Sequence, residues 1–126
     1  MSLRCLIVDD SDHFKEAARR LLEADGIAVV GVASTMAEAL RQTGELRPDC
    51  VLVDIDLGEE SGFDLARLLT DVTAGGPPYV ILISTYDEAD FAEMIAASPA
   101  VAFLAKPNLS GWAIGSILRE AVGEGA

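Results

Sequence analysis

The chain has 126 residues, of which 51% are hydrophobic and 24% charged, a composition typical of one globular domain with a sizeable core and not of a disordered segment. Its formal net charge of −12 disfavours direct binding to nucleic acids, because those ligands select basic surfaces. No signal peptide is visible and no apolar run is long enough to span a membrane, so we expect a cytoplasmic protein.

Apolar runs that predict buried strands recur along the chain at regular intervals. They cover residues 3–8, 27–33, 50–53, 79–84 and 100–105. The amphipathic segments that predict helices are residues 12–25, a segment opening at Thr35, a segment opening at Ser61, residues 87–97 and residues 110–122. Strands and helices are therefore predicted to alternate strictly through the whole chain.

Several boundaries of these elements are marked by residues with local conformational preferences. Gly26 ends the first helix, and Thr35 and Glu38 have the spacing of a capping box that opens the second. Ser61 can cap the third helix. The glycines and prolines of residues 75–78 predict a turn before the fourth strand.

The alternation of continuous apolar runs with helices predicts an α/β fold with a doubly wound parallel sheet of five strands. Crossovers in such sheets are right-handed, and ligands bind beyond the carboxyl ends of the strands. The sequence has no internal repeat, low-complexity segment or linker, so we expect residues 1–126 to form a single domain.

Polar residues follow four of the five apolar runs, where the carboxyl ends of the strands meet. They are Asp9 and Asp10 after the first strand, Asp54 after the third, Ser84 and Thr85 at the end of the fourth, and Lys106 after the fifth. Carboxylates gathered in one crevice repel each other unless a cation lies between them, and Mg2+ suits carboxylate and carbonyl oxygens. A magnesium ion and a lysine ammonium beside one carboxylate form a site for a phosphoryl group.

At these residues the sequence resembles the response-regulator receiver domain over nearly its whole length. The resemblance rests on four motifs in order, which are VDDSD, VLVDIDLGEESGFDLA, ILIST and FLAKP. It implies a flavodoxin-like (βα)5 fold with strand order 2-1-3-4-5, a role in two-component signalling, Mg2+ as the cofactor and a sensor histidine kinase as the phosphoryl donor. It also implies a signalling phosphoacceptor that is not an enzyme for other substrates and does not itself bind nucleic acids or membranes.

The resemblance assigns a role to each residue at the carboxyl edge of the sheet. Carried over position by position, the resemblance makes Asp54 the phosphoryl acceptor and Lys106 the residue that contacts the phosphoryl group. It implies that Asp10 binds Mg2+ directly, Asp9 mainly through water, and Asp56 through its backbone carbonyl. It makes Ser84 the switch hydroxyl and Phe103 the aromatic switch residue. Phosphorylation is then expected to reshape the face formed by the fourth helix, the fifth strand and the fifth helix, which the family uses for dimers and output partners. Whether the chain is a stand-alone receiver or part of a longer regulator with a DNA-binding domain stays open.

The loop after the acceptor departs from the pattern of the family, which usually has a proline–glycine turn there. Residues 57–60 read LGEE, so we expect a changed loop shape and an intact site. Asp56 and Tyr86 each lie two residues after a site residue, Asp54 and Ser84 respectively. Both are expected to flank the path of an attacking water and to tune the lifetime of the phosphoryl group.

Two rival functions are consistent with parts of the pattern. The acids Asp54 and Asp56 have the spacing of the nucleophile and second acid of haloacid-dehalogenase-type phosphatases, but that family places the motif on its first strand and Asp54 follows the third. The second rival is a pseudo-receiver that binds partners without being phosphorylated, which the complete set of site residues disfavours. Uptake of phosphoryl from a small donor separates the three functions.

The chain contains two cysteines, Cys5 and Cys50, which both lie in apolar runs. Neither belongs to a CxxC pair, so a zinc site is disfavoured. If the first and third strands are neighbours, the two thiols lie at the same level of the sheet. Because cytoplasmic thiols are kept reduced, we expect both to be free and buried.

Two further expectations concern the segment after the fifth strand. The family resemblance implies a cis bond between Lys106 and Pro107, which proline allows at modest cost. Trp112, the sole tryptophan, is predicted to lie opposite the apolar face of the last helix. It is then either part of a contact surface or folded back over the loop at residues 107–109.

Overall fold

The structure, a computed structural model, describes residues 3–72 and 78–122. Its strands are β1 (Arg4–Val8), β2 (Ala28–Ala33), β3 (Cys50–Asp54), β4 (Asp56–Leu57), β5 (Glu60–Ser61), β6 (Tyr79–Ser84) and β7 (Ala102–Ala105). Its helices are α1 (Asp12–Ala24), α2 (Met36–Leu46), α3 (Gly62–Val72), α4 (Ala92–Ala97) and α5 (Gly111–Ala121), with 3-10 turns at Glu88–Phe91 and Lys106–Asn108. None of these helices is long and apolar enough to cross a membrane.

Five of the strands form a parallel sheet in the order β2-β1-β3-β6-β7. Counted without the short strands β4 and β5, this is the predicted order 2-1-3-4-5. The doubly wound α/β fold expected from the sequence is therefore confirmed. The chain reverses its winding direction between β1 and β3, and the carboxyl ends of these two central strands carry Asp9 and Asp54.

The central strands are buried on both faces, which explains their continuous apolar runs. On β1, Leu6 and Val8 pack into a core shared with α2 and α3, whereas Cys5 and Ile7 pack into a second core shared with α1 and α5. The alternation of side chains along a strand places successive residues in different cores. The helices are thus held on both faces of the sheet, and its carboxyl edge is left for polar residues.

Hydroxyl caps fix the starts of the helices where the sequence predicted them. Thr35 Oγ1 accepts the Glu38 N–H at 3.2 Å, and Glu38 Oε1 in turn accepts the Ser34 N–H at 3.3 Å. The predicted capping box is therefore confirmed, except that the Glu38 side chain binds the N–H of Ser34 and not that of Thr35. Ser61 Oγ accepts the Phe63 N–H at 3.2 Å and caps α3 as predicted.

Three features of the fold differ from the sequence predictions or lie beyond them. The antiparallel ribbon of β4 and β5 was not predicted, because strands of two residues are too short to show a period. The fourth helix begins with a 3-10 turn, and the fifth strand starts at Ala102, two residues later than predicted. The turn predicted at residues 75–78 falls mostly on residues outside the described ranges.

The two cysteines form a disulfide, so the prediction of free thiols is wrong. Cys5 and Cys50 are direct partners in the ladder between β1 and β3, and their Cα atoms are 5.0 Å apart. That separation lies in the range that a disulfide requires. The prediction that both side chains are buried is confirmed, since neither is exposed to solvent.

Candidate functional site

The ends of β1 and β3 and the turn after β7 bring four of the predicted site residues to one edge of the sheet. Asp9 directly follows β1 and is fully buried, and Asp54 ends β3 with 6% of its surface exposed. Lys106 follows β7 at the start of a 3-10 turn. Asp10, the residue after Asp9, is exposed. We call these four residues the acidic pocket.

The ammonium of Lys106 lies between the two buried carboxylates. Its Nζ is 2.7 Å from Asp9 Oδ2 and 3.0 Å from Asp54 Oδ2, where it donates a hydrogen bond. The same nitrogen lies 4.3 Å from the centroid of the Phe14 ring, at the start of α1. Lys106 thus joins residues that are far apart in the sequence.

Backbone donors hold the other oxygen of each buried carboxylate. Asp54 Oδ1 accepts the Asp56 N–H at 3.0 Å, and Asp9 Oδ1 accepts the Ser11 N–H at 2.8 Å. Each aspartate therefore turns its Oδ2 toward Lys106 and the centre of the pocket. Because these bonds come from the residue two positions further on, the local loop after each strand fixes the orientation of the acid.

The protonation of the pocket reflects both burial and charge. Burial raises the pKa of Asp54 to about 6, against the opposing effects of the Asp56 N–H and the Lys106 ammonium, and the charge of Asp9 raises it further. Burial by itself lowers the pKa of Lys106, but the interactions with Asp9 and Asp54 outweigh it and leave that pKa above the ordinary value. Lys106 is therefore a firmly charged counter-ion for the pocket.

The donor set of the pocket fits a hard divalent cation. One carboxylate oxygen from each of Asp9, Asp10 and Asp54 lies within 4.8 Å of the others. Asp9 Oδ2 is buried and accepts no well-aligned hydrogen bond from the described residues, so its contact with Lys106 is that of an ion pair. A buried acceptor with spare capacity beside two further carboxylates is the environment that Mg2+ occupies in proteins.

Ser84 lies at the same edge, as the last residue of β6, and is almost fully buried. In the sheet its register partner is Ala105, the residue before Lys106. Its Oγ accepts the Tyr86 N–H at 2.9 Å, while the Tyr86 side chain is exposed. The structure therefore places Ser84 beside the pocket with its hydroxyl engaged by its own loop.

The loop that lacks the expected proline is shaped by two glycines. Gly58 has φ +72°, a conformation in the left-handed region, and its N–H donates to Asp56 Oδ1 at 3.2 Å. Gly62 passes so close to the end of β3 that a Cβ there would collide with the carbonyl oxygen of Asp54 and lie 2.7 Å from Ile55 Cα. The ribbon β4–β5 thus folds back against Asp54 without proline.

The bond between Lys106 and Pro107 is trans, so the prediction of a cis bond is wrong. Residues 106–108 form a 3-10 turn in which Leu109 N–H donates to Lys106 O at 3.1 Å. Proline with a trans bond is suited to the first positions of such a turn. Lys106 reaches both buried acids in this geometry.

Two contributors to the site carried no recognisable sequence signal. The Phe14 ring on Lys106 looked like an ordinary apolar position of an amphipathic helix. The Glu60 carboxylate accepts the Met36 N–H at 2.8 Å and so ties the loop after Asp54 to the start of α2. Phe103, the predicted aromatic switch residue, is partly buried on β7 and packs against the core beneath α2 and α3.

Comparisons with known proteins agree with this arrangement. Residues 5–111 match the model of the response regulator receiver domain. Among curated proteins, a protein-glutamate methylesterase/protein-glutamine glutaminase of Geobacter sulfurreducens is 31% identical over 84% of this chain and 28% of its own length. The sensory transduction protein LytT of Bacillus cereus is 31% identical over 68% of this chain and 35% of its own. The chain spans about a third of the length of these curated relatives.

Solved structures show the same fold. The signal receiver domain of the putative response regulator NarL from Mycobacterium tuberculosis is 28% identical, with a TM-score of 0.81 over 97% of this chain and 98% of that chain. A CheY-like receiver domain from Methylobacillus flagellatus, at 21% identity, has a TM-score of 0.80 over 95% and 98% of the two chains. The match over residues 5–111, which is more than half of the chain, shows that the chain belongs to the response regulator receiver domain family.

Proposed function

We propose that this chain accepts a phosphoryl group on Asp54 from a sensor histidine kinase. The observation that carries the proposal is the ammonium of Lys106, fixed 2.7 Å from Asp9 Oδ2 and 3.0 Å from Asp54 Oδ2. Phosphoryl transfer depends mainly on positioning and on neutralisation of charge. A buried carboxylate held beside a fixed cation supports that chemistry.

In the proposed reaction a carboxylate oxygen of Asp54 forms a bond to phosphorus. The bond between phosphorus and the histidine nitrogen of the donor breaks, and that nitrogen keeps the electron pair. Lys106 stays beside the transferred group and balances part of the charge on its oxygens. Mg2+, held by Asp9, Asp10, Asp54 and the backbone carbonyl of Asp56, would supply the remaining positive charge.

The proposed switch starts at Ser84. When its hydroxyl turns toward a phosphoryl oxygen, the bond to the Tyr86 N–H is given up and the loop after β6 is free to move. Phe103 on β7 would follow, and the face formed by α4, β7 and α5 would change shape. We propose this face for output partners and for a homodimer of the phosphorylated chain, since Trp112 on α5 is 75% exposed, pointing outward as predicted.

The proposal covers residues 1–126 as a single receiver domain in the cytoplasm. Its chemistry is limited to its own phosphorylation and dephosphorylation, so it is a signalling phosphoacceptor and not an enzyme for other substrates. The net charge of −12 supports the absence of direct nucleic-acid binding by this domain. The match covers only 28% and 35% of the length of the two curated relatives, and their activities are not assigned to this chain.

The test is phosphoryl uptake from acetyl phosphate, measured by intact mass with and without Mg2+. We expect the wild-type protein to gain one phosphoryl group only when Mg2+ is present, and Asp54→Asn to gain none. Lys106→Ala should impair both uptake and switching. Asp64→Asn, which removes an exposed acid paired with Arg67, is the matched control and should behave like the wild type.

A phosphoadduct that persists in Asp54→Asn would contradict the assignment of the acceptor. The same experiment separates the rival functions. Continuous release of phosphate with many turnovers would indicate a phosphatase, and no adduct in the wild type under any condition would indicate a pseudo-receiver.

A further inference from the structure

The ring of Phe14 lies against the ammonium of Lys106. The distance of 4.3 Å from Nζ to the ring centroid is well within the range in which the negative face of an aromatic ring attracts a cation. The ring is placed by the first turn of α1, where Ser11 Oγ accepts the Phe14 N–H at 3.2 Å. The cap that orients α1 therefore also places the ring on the lysine.

Lysine side chains are long and flexible, so the position of this ammonium depends on its partners. In the described structure these are Asp9 Oδ2, Asp54 Oδ2 and the Phe14 ring, and 13% of the Lys106 side chain is exposed. Both carboxylates belong to the proposed metal and phosphoryl site. Loading of that site would place Mg2+ beside both carboxylates and would convert Asp54 to an acyl phosphate.

The contact with Phe14 does not change in this way. The ring carries no charge, does not ligate a metal, and lies on α1, outside the loops that carry the two acids. It is therefore a partner of Lys106 whose attraction does not depend on the charge of the two acids. A neutral holder of this kind keeps the ammonium beside Asp54 while the carboxylates take new partners.

We propose that Phe14 is a positioning residue for Lys106, and that its aromatic ring holds the ammonium where it meets the oxygens of the incoming phosphoryl group. The inference rests on the proposed role of Asp54 as the phosphoryl acceptor. A purely structural role is the competing explanation, since Phe14 also packs against the core beneath α1 and α5. The experiment must therefore separate aromatic character from apolar volume.

Single-turnover phosphoryl uptake is measured at saturating Mg2+ for the wild type, Phe14→Leu, Phe14→Tyr, Lys106→Met and the double variant Phe14→Leu with Lys106→Met. Phe14→Leu keeps apolar volume and should slow uptake about threefold to tenfold, the range of a partly buried cation–π contact. Phe14→Tyr keeps the ring and should restore the wild-type rate. In the Lys106→Met background the leucine substitution should have no effect.

A second measurement tests the contact without any phosphoryl transfer. The chain has two lysines, Lys15 and Lys106, so the ε-methylene groups give two NMR signals in lysine-labelled protein. The Lys106 signal, identified by its absence in Lys106→Met, should be shifted upfield by the ring and should lose this shift in Phe14→Leu. If Phe14→Leu is too unstable to study, Phe14→Met serves as the non-aromatic variant in both measurements.

Equal uptake rates in Phe14→Leu and the wild type would overturn the inference and leave the role of Asp54 standing. Equal slowing by Phe14→Leu in both lysine backgrounds would also overturn it, because the ring would then act through the core. Failure of the wild type to take up phosphoryl is a different result, which refutes the proposed function, and the NMR shift would still report whether Phe14 contacts Lys106.

Discussion

The only two lysines of the chain are both nearly buried, yet they lie in different surroundings. The side chain of Lys106 is 13% exposed and faces two carboxylates that are 0% and 8% exposed. The side chain of Lys15 is 8% exposed, and its ion-pair partner Asp12, at 3.1 Å, is 96% exposed. Lys15 also contacts the Ser34 hydroxyl at the connection between β2 and α2.

The difference between the two lysines lies in the balance of charge around them. In the acidic pocket Lys106 pairs with Asp9 and Asp54, and Asp10 adds a third carboxylate beside them, so the pocket carries an excess of negative charge that a further cation would balance. Lys15 has a single carboxylate within ion-pair distance among the described residues, and it donates a further hydrogen bond to the Ser34 hydroxyl. A buried charge is therefore not by itself a sign of a functional site. A buried cluster in which negative charges outnumber positive charges is such a sign.

The sharpest test of this comparison exchanges each lysine for methionine, which keeps the apolar stem. Lys106→Met should slow phosphoryl uptake about a hundredfold, because it removes the charged donor proposed to act on the transferred group. Lys15→Met should change the rate less than about twofold, since no proposed site residue contacts Lys15. Rates are measured with acetyl phosphate and Mg2+, and comparable losses in the two variants would refute the distinction.

The excess of negative charge in the pocket should also lower the stability of the metal-free protein when Asp54 ionises. The pKa of Asp54 is about 6 in the folded chain and about 3.8 when exposed, so between these values the folded state binds more protons than the unfolded state. The free energy of unfolding should therefore fall as pH rises from about 4 to 6, by up to about 3 kcal/mol. Asp54→Asn should remove this loss.

The measurement is urea unfolding in chelator at several pH values between 4 and 7. Asp12→Asn, which removes the exposed partner of Lys15, should keep the wild-type slope because surface ion pairs contribute little. An Asp54→Asn variant with the same pH slope as the wild type would show that ionisation of Asp54 is not what destabilises the pocket.

The start of α2, at Met36 directly after the connection that contains Ser34, should respond to mutation through stability alone. Glu60 accepts the Met36 N–H at 2.8 Å, so Glu60→Ala should cost about 1 kcal/mol of unfolding free energy, as for a lost helix cap. Glu60→Gln keeps an acceptor and should recover most of that loss. Glu59→Ala, at the exposed neighbouring position, is the control, and a glutamine variant as unstable as the alanine variant would contradict the capping role.

The smallest expected effect concerns transmission from the pocket to α5. A beryllium-fluoride mimic of the phosphoryl group should change the emission of Trp112 and promote self-association, which Trp112→Ala should weaken in sedimentation. The α4 side of the face carries Asp87, Glu88 and Asp90, so higher salt should favour the association by screening. Unchanged emission together with an unchanged association state would count against this face as a contact surface.

Much of the fold followed from the sequence because it depends on burial, which hydrophobic patterns report directly. The continuous apolar runs of β1 and β3 required cover on both faces and therefore a parallel sheet with helices on each side. The capping residues Thr35 and Ser61 marked helix starts because they act on backbone groups within three residues. The acids Asp9 and Asp54 could be assigned to one edge because parallel strands end together.

The contacts that complete the pocket were decided by tertiary structure. Whether Lys106 reaches Asp9, Asp54 and the ring of Phe14 depends on the direction of a long flexible side chain and on how α1 packs against the sheet. A sequence pattern carries no information on either. The trans bond before Pro107 follows from the turn that continues β7, which the proline alone does not specify.

The disulfide at the centre of the sheet also depends partly on what the sequence predicts and partly on tertiary structure. The sequence placed Cys5 and Cys50 at one level of two strands, because each lies four residues before an acid of the pocket. Whether their side chains meet depends on the pairing of β1 with β3 and on which face each side chain enters. Local chemistry and periodicity thus determined which residues are buried and where the charges gather, whereas the pairing of distant side chains was settled only by the packing of strands and helices in three dimensions.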